Sequence, residues 1–87
     1  PNPFNSSTTI CYSLPASADI RLNIYNLKGE KVRTLINQHC SAGTFEISWN
    51  GRNDNNVRAA SGIYIYRMEI NTGRETVSQS HQMLLLK

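Results

Sequence analysis

Apolar residues in this chain recur at every second position, in short runs broken by glycine, asparagine, aspartate and serine, and this rhythm limits the fold more than any other feature. A period of two puts alternate side chains on opposite faces of an extended strand, so each run reads as a strand with one buried face. Ile10, Tyr12 and Leu14 alternate with Thr9, Cys11 and Ser13 until Pro15 closes the run. Ile20, Leu22 and Ile24 alternate with Arg21, Asn23 and Tyr25, which predicts a strand with a wholly aliphatic inner face. Asn26-Leu27-Lys28-Gly29-Glu30 predicts a turn with Gly29 at a positive-φ position, and Val32 to Ile36 returns from it as a hairpin. Phe45, Ile47 and Trp49 make a fourth run, with Trp49 as the expected core anchor.

The stretch Asn50 to Ser61 is polar and rich in turn formers, after which Gly62 opens the run Ile63 to Ile70, dense in β-branched and aromatic residues and expected to be a long central strand. Asn71-Thr72-Gly73-Arg74 reads as a hairpin loop, and Glu75 to Leu86 as the last strand. No useful window carries helical spacing. About seven short strands at intervals of about ten residues predict an all-β fold, an immunoglobulin-like two-sheet antiparallel sandwich, with a small barrel as the alternative.

Eighty-seven residues leave room for one domain, residues 1–87. A chain of this size buries only about 60 to 65% of its unfolded surface, which argues against a deep catalytic cleft and so against an enzyme. No run approaches the roughly 18 apolar residues of a membrane helix, so no membrane insertion is expected. The net charge of +3 comes from nine basic residues interleaved with six acidic ones. Nucleic-acid binders cluster their cations on one face. No such block exists here, and no nucleic-acid partner is expected.

The two ends stand out. The chain opens Pro1-Asn2-Pro3-Phe4-Asn5 and closes Met83-Leu84-Leu85-Leu86-Lys87, an apolar run reaching the terminal lysine. Termini are usually polar and frayed, so this run suggests an end built into the fold or read by a partner. The opening residues carry no charged and apolar signal-peptide pattern, and since Pro1 is no translated start, a processed or excerpted chain is expected. Pro1 and Pro3 also suit the protection of an edge strand, because proline offers no N–H for a further strand.

In their order along the chain, these pieces resemble a known family. The carriers are Pro1-Asn2-Pro3-Phe4-Asn5, Ser7-Thr8-Thr9-Ile10, Leu22-Asn23-Ile24-Tyr25-Asn26-Leu27-Lys28-Gly29-Glu30-Lys31-Val32, Ala42-Gly43-Thr44, Trp49-Asn50-Gly51, Ala60-Ser61-Gly62-Ile63-Tyr64-Ile65-Tyr66-Arg67 and the closing Met83 to Lys87. The chain resembles the C-terminal sorting domains of the type IX secretion system, which are related to the immunoglobulin-like domain of the flagellar hook-capping protein. The resemblance implies a non-enzymatic module, without a cofactor, at the end of a larger cargo protein. A secretion translocon would recognise it for export to the cell surface, and a sortase-like peptidase often removes it. The recognition positions it implies are Pro1, Asn2 and Pro3, Gly62, and Leu85, Leu86 and Lys87. Ser6 stands where proline is frequent in the family, and His81-Gln82 where a basic pair is usual.

Other constellations compete for a role. Cys11 and Cys40 are the only cysteines, an even pair compatible with a disulfide in an oxidising, extracellular compartment. Alternation turns Cys11 outward, so an internal bridge would need the Cys40 loop to fold over that face, and a bridge between chains is the alternative. The alternative function is accordingly a self-assembling extracellular filament subunit, joined by strand edges or disulfides. Asn50 to Asn56 offers side-chain oxygens to calcium, but Asp54 is its single carboxylate and turn formation accounts for the asparagines. His39, Cys40, Cys11 and His81 lack the paired short spacings of zinc sites, and no third orienting group marks a cysteine nucleophile. Tyr64 and Tyr66 would suit an exposed sugar-binding surface, although packing of at least one against Trp49 is the stronger expectation.

Overall fold

A computed structural model of the protein describes residues 8–86. Six strands follow in order: β1 (Thr8–Leu14), β2 (Ala18–Tyr25), β3 (Lys31–Cys40), β4 (Gly43–Trp49), β5 (Gly62–Asn71) and β6 (Thr76–Leu85). They form two antiparallel sheets, one of two strands in the order β1-β4 and one of four in the order β3-β2-β5-β6. This is the expected all-β sandwich, formed by two separate sheets and not by a closed barrel. It has six strands among the described residues where the sequence predicts about seven. The polar segment between β4 and β5 contributes only an isolated antiparallel bridge, Arg52 to Arg58.

The alternation of the strands becomes the packing of the two sheets. Ile10 and Leu14 of β1, Ile20, Leu22 and Ile24 of β2, Ile36 of β3, Trp49 of β4, Tyr64 and Met68 of β5 and Leu85 of β6 form one buried cluster. Trp49, Leu22 and Ile24 have no exposed surface. The indole N–H of Trp49 donates to the Arg52 carbonyl at 2.8 Å, and its ring meets Tyr64 edge-on with centroids 5.1 Å apart. The expected packing of a tyrosine against Trp49 is thus Tyr64, whose hydroxyl donates to the Ala60 carbonyl at 2.6 Å.

The β2–β3 turn is made by Asn26 and Gly29. The Asn26 side-chain oxygen accepts the N–H groups of Lys28 and Glu30, both at 3.0 Å. Gly29 takes a φ of 84°, a conformation open to glycine and costly for residues with a Cβ. On the outer face of the larger sheet, Arg21 pairs with Glu69 at 3.2 Å and His39 with Asp19 at 2.8 Å. Arg21, His39 and Asp19 are exposed and Glu69 is half-buried, so each pair contributes at most about 1 kcal/mol.

Candidate functional site

The closing apolar run and Gly62 meet at one corner of the larger sheet. Gly62 opens β5 and lies in register with Leu85, the last residue of β6. Its φ of 152° favours glycine, whereas an added Cβ would meet only open space. Backbone conformation therefore explains this glycine, not a close approach. Leu85 is 1% exposed and sits in the core. Its neighbours Leu84 and Leu86 are 55% and 49% exposed, because three consecutive leucines at a strand end cannot all face inward.

The outward leucines do not stand alone. Ile63 is exposed and lies in register with Leu84. Leu27, at 65% the most exposed large apolar residue among those described, projects from the β2–β3 turn and lines one shallow groove with Ile63, Gly62 and Tyr64. Four of the six exposed large apolar side chains among the described residues thus gather at this corner. Scattered exposed leucines need no explanation, whereas a gathered apolar patch is a candidate surface for meeting another molecule. Thr8, at the start of β1, donates from its hydroxyl to the Leu84 carbonyl at 3.5 Å and brings the beginning of the described chain to the same place.

The structure joins some of the expected recognition residues and adds others. Gly62, Leu85 and Leu86 come together, while Pro1, Asn2, Pro3 and Lys87 lie outside the described residues. Leu84, Ile63 and Leu27 belong to the patch and are absent from the sequence-based set. Two local signals mark them: a leucine run that breaks the alternation of its strand, and an apolar residue in a polar turn. The pairing of Ile63 with Leu84 required the strand register.

The possible disulfide between Cys11 and Cys40 is corrected by the fold: both thiols are free. Cys11 lies on the outer face of β1, where its thiol points to a Glu46 carboxylate oxygen at 3.8 Å. Strand β3 continues beyond Ile36 to Cys40, which pairs in register with the buried Ala18 and faces the core. There the Cys40 thiol lies beside the Tyr12 hydroxyl. Burial, with a smaller contribution from this thiol, holds that phenol above its ordinary range. Cys11 and Tyr12 are successive residues of one strand and face opposite ways, so an intrachain bridge would have to pass through the small sheet. Thiol labelling of the native protein is expected to show one fast equivalent, Cys11, and a second that reacts only on unfolding. Two fast equivalents would contradict the placement of Cys40.

The remaining constellations are dispersed or engaged. The Asn53 side-chain oxygen accepts the N–H groups of Asn55 and Val57, both at 2.9 Å. Asp54 accepts the Thr34 N–H at 3.1 Å and faces Lys31 and Arg33 at 3.9 Å, which straps the loop to β3. The asparagines act as turn formers. His39 pairs with Asp19, His81 stacks against Tyr66 with centroids 5.2 Å apart, and the two cysteines face away from each other. No zinc constellation or cysteine–histidine pair is assembled from them. Tyr64 is buried, so the two tyrosines form no exposed platform.

Comparison with known proteins places this geometry. The sequence model of the FlgD Ig-like domain matches residues 4–74. No curated protein matches the chain. Among solved structures, FlgD from P. aeruginosa is similar over 93% of this chain and 64% of its own, with 18% identity and a TM-score of 0.75. FlgD from Xanthomonas campestris, described for its part in hook capping in flagellar assembly, is similar over 93% of this chain and 59% of its own, with 18% identity and a TM-score of 0.72. Dimeric latent PorU from Porphyromonas gingivalis is similar over all of this chain but 9% of its own, with 20% identity and a TM-score of 0.74. The chain spans less than two thirds of each of these proteins, and at such identities the likeness is one of fold.

Proposed function

The chain belongs to the FlgD Ig-like domain family, and from that premise we propose that it is a non-enzymatic sorting and attachment module, recognised by type IX secretion machinery for export to the cell surface. The observation that carries this reading is the corner itself. Leu85 anchors the end of β6 in the core, and this holds Leu84 and Leu86 outward beside Ile63 and Leu27. The rigid strand end presents apolar side chains in a fixed geometry, so little ordering entropy opposes docking. A partner covering this patch would take its affinity from a few apolar anchors. The likeness of the whole chain to a small part of PorU fits a module carried by a longer protein. In this reading the partners are a secretion translocon, an N-terminal cargo protein and a sortase-like peptidase, and the destination is extracellular.

The test separates recognition from folding. Leu84→Glu with Leu86→Glu changes only exposed side chains, so thermal stability is expected to stay close to the parent. Fused to a reporter in a type IX-competent bacterium, the double variant is expected to cut surface delivery about tenfold, which corresponds to a loss of roughly 1.4 kcal/mol in recognition. Delivery equal to the parent's, with the fold intact, would refute the corner as the recognised surface.

A further inference from the structure

The two edges of the larger sheet are built differently. The β3 edge is irregular: its pairing with β2 shifts register twice, between Leu22 and Asn23 and between Ile24 and Tyr25. It also carries Lys31 and Arg33, and bulges and cations are the usual means of preventing strand addition. The β6 edge has neither. Its register with β5 runs unbroken from Gly62 with Leu85 to Asn71 with Thr76. From Thr76 to Leu86 there is no proline, lysine, arginine, aspartate or glutamate. Among the described residues its outer edge pairs with no strand, and the start of β1 approaches its end, where the Thr8 hydroxyl reaches the Leu84 carbonyl.

The sequence of this edge is compatible with a copy of itself. Laying two β6 strands antiparallel about a two-fold axis at Ser80 sets Val77 opposite Met83, Ser78 opposite Gln82 and Gln79 opposite His81. Val77 and Met83 share the inward-facing side of β6, where Val77 is 40% exposed. Within that central stretch the pairing matches apolar with apolar and polar with polar, only the outermost pair sets Thr76 opposite Leu84, and no like charges are opposed. A perpendicular two-fold axis keeps equivalent faces on one side, so the product is a closed, isologous dimer with a continuous eight-stranded sheet.

We propose that the β6 edge is a homotypic docking surface, at which a second copy of this chain adds its own β6 antiparallel about Ser80. This inference is independent of the sorting function and does not use the cysteines.

Sedimentation equilibrium of the full chain under reducing conditions, up to about 1 mM, is the test, that concentration reaching even weak pairs. The expected result is a monomer–dimer equilibrium. Ser80→Lys places two like charges at the axis and is expected to weaken the dimer at least about tenfold, with the near-ultraviolet signal of Trp49 unchanged. Asn37→Lys on the β3 edge is expected to leave the dimer as it was. A parent that stays monomeric overturns the proposal, as does a dimer that Ser80→Lys leaves intact. Dimerisation that appears only after removal of residues 1 to 7 would assign the edge to the chain's own opening segment, and this too overturns it.

Discussion

Replacing Trp49 by alanine is expected to remove most of the stability of this domain. The side chain has no exposed surface, lies edge-on to Tyr64 at 5.1 Å and donates its N–H to the Arg52 carbonyl at 2.8 Å. It stands at the end of β4, in the small sheet, and fills the space beneath β5 of the large one. Truncating a buried tryptophan costs about 3 to 5 kcal/mol, because a two-stranded sheet can collapse only partly into the cavity. Domains are stable by only about 5 to 15 kcal/mol, and one of 87 residues belongs near the lower end. Trp49→Phe should be milder: it keeps much of the volume, and the Arg52 carbonyl retains a contact from Arg33 at 3.4 Å. Urea unfolding followed by far-ultraviolet circular dichroism measures both variants. A Trp49→Ala protein within about 1 kcal/mol of the parent would show that Trp49 does not hold the sheets together.

Leu85→Ala and Leu86→Ala should differ sharply although the residues adjoin. Leu85 is 1% exposed and Leu86 is 49% exposed. The first substitution empties a core position and is expected to cost about 2 to 5 kcal/mol. The second trims a surface side chain, and its effect should fall within about 0.5 kcal/mol. Chemical denaturation of the pair is decisive: equal losses would mean that the end of β6 is not anchored as observed. The contrast also bears on function, since loss of Leu85 would release the strand end that orients Leu84 and Leu86. Reduced delivery in Leu85→Ala would then arise from a loosened corner, whereas in the exposed double variant it would arise from the surface alone.

Much of this was legible in the chain. Ile20, Leu22 and Ile24 face the core and Arg21 faces water as their alternation predicts, and Gly29 occupies its positive-φ turn. Cys11 faces outward, also as its position requires. The local rule failed where a neighbour from a distant part of the chain intervened. Asn23 lies on the outer side of β2 yet is 9% exposed, set in register between Thr34 of β3 and Arg67 of β5. Cys40, expected in a loop, is buried because β3 extends far enough to pair it with Ala18. The inward side of β6 is largely exposed, because among the described residues the opposing sheet has two strands to cover four.

By itself, the sequence determined the fold class, the positions of the turns and the side of each strand on which a residue falls. Those properties depend on the two-residue repeat and on the φ preferences of glycine, proline and asparagine, which act within a few bonds. The order β3-β2-β5-β6, the separation of the two cysteines by the small sheet, the gathering of Leu27, Ile63, Leu84 and Leu86 and the contrast between the two sheet edges were decided only by the tertiary structure. Each depends on which distant strands become neighbours and how far one sheet covers the other. The free energy of burial is settled between segments far apart in the chain, and no local pattern records it.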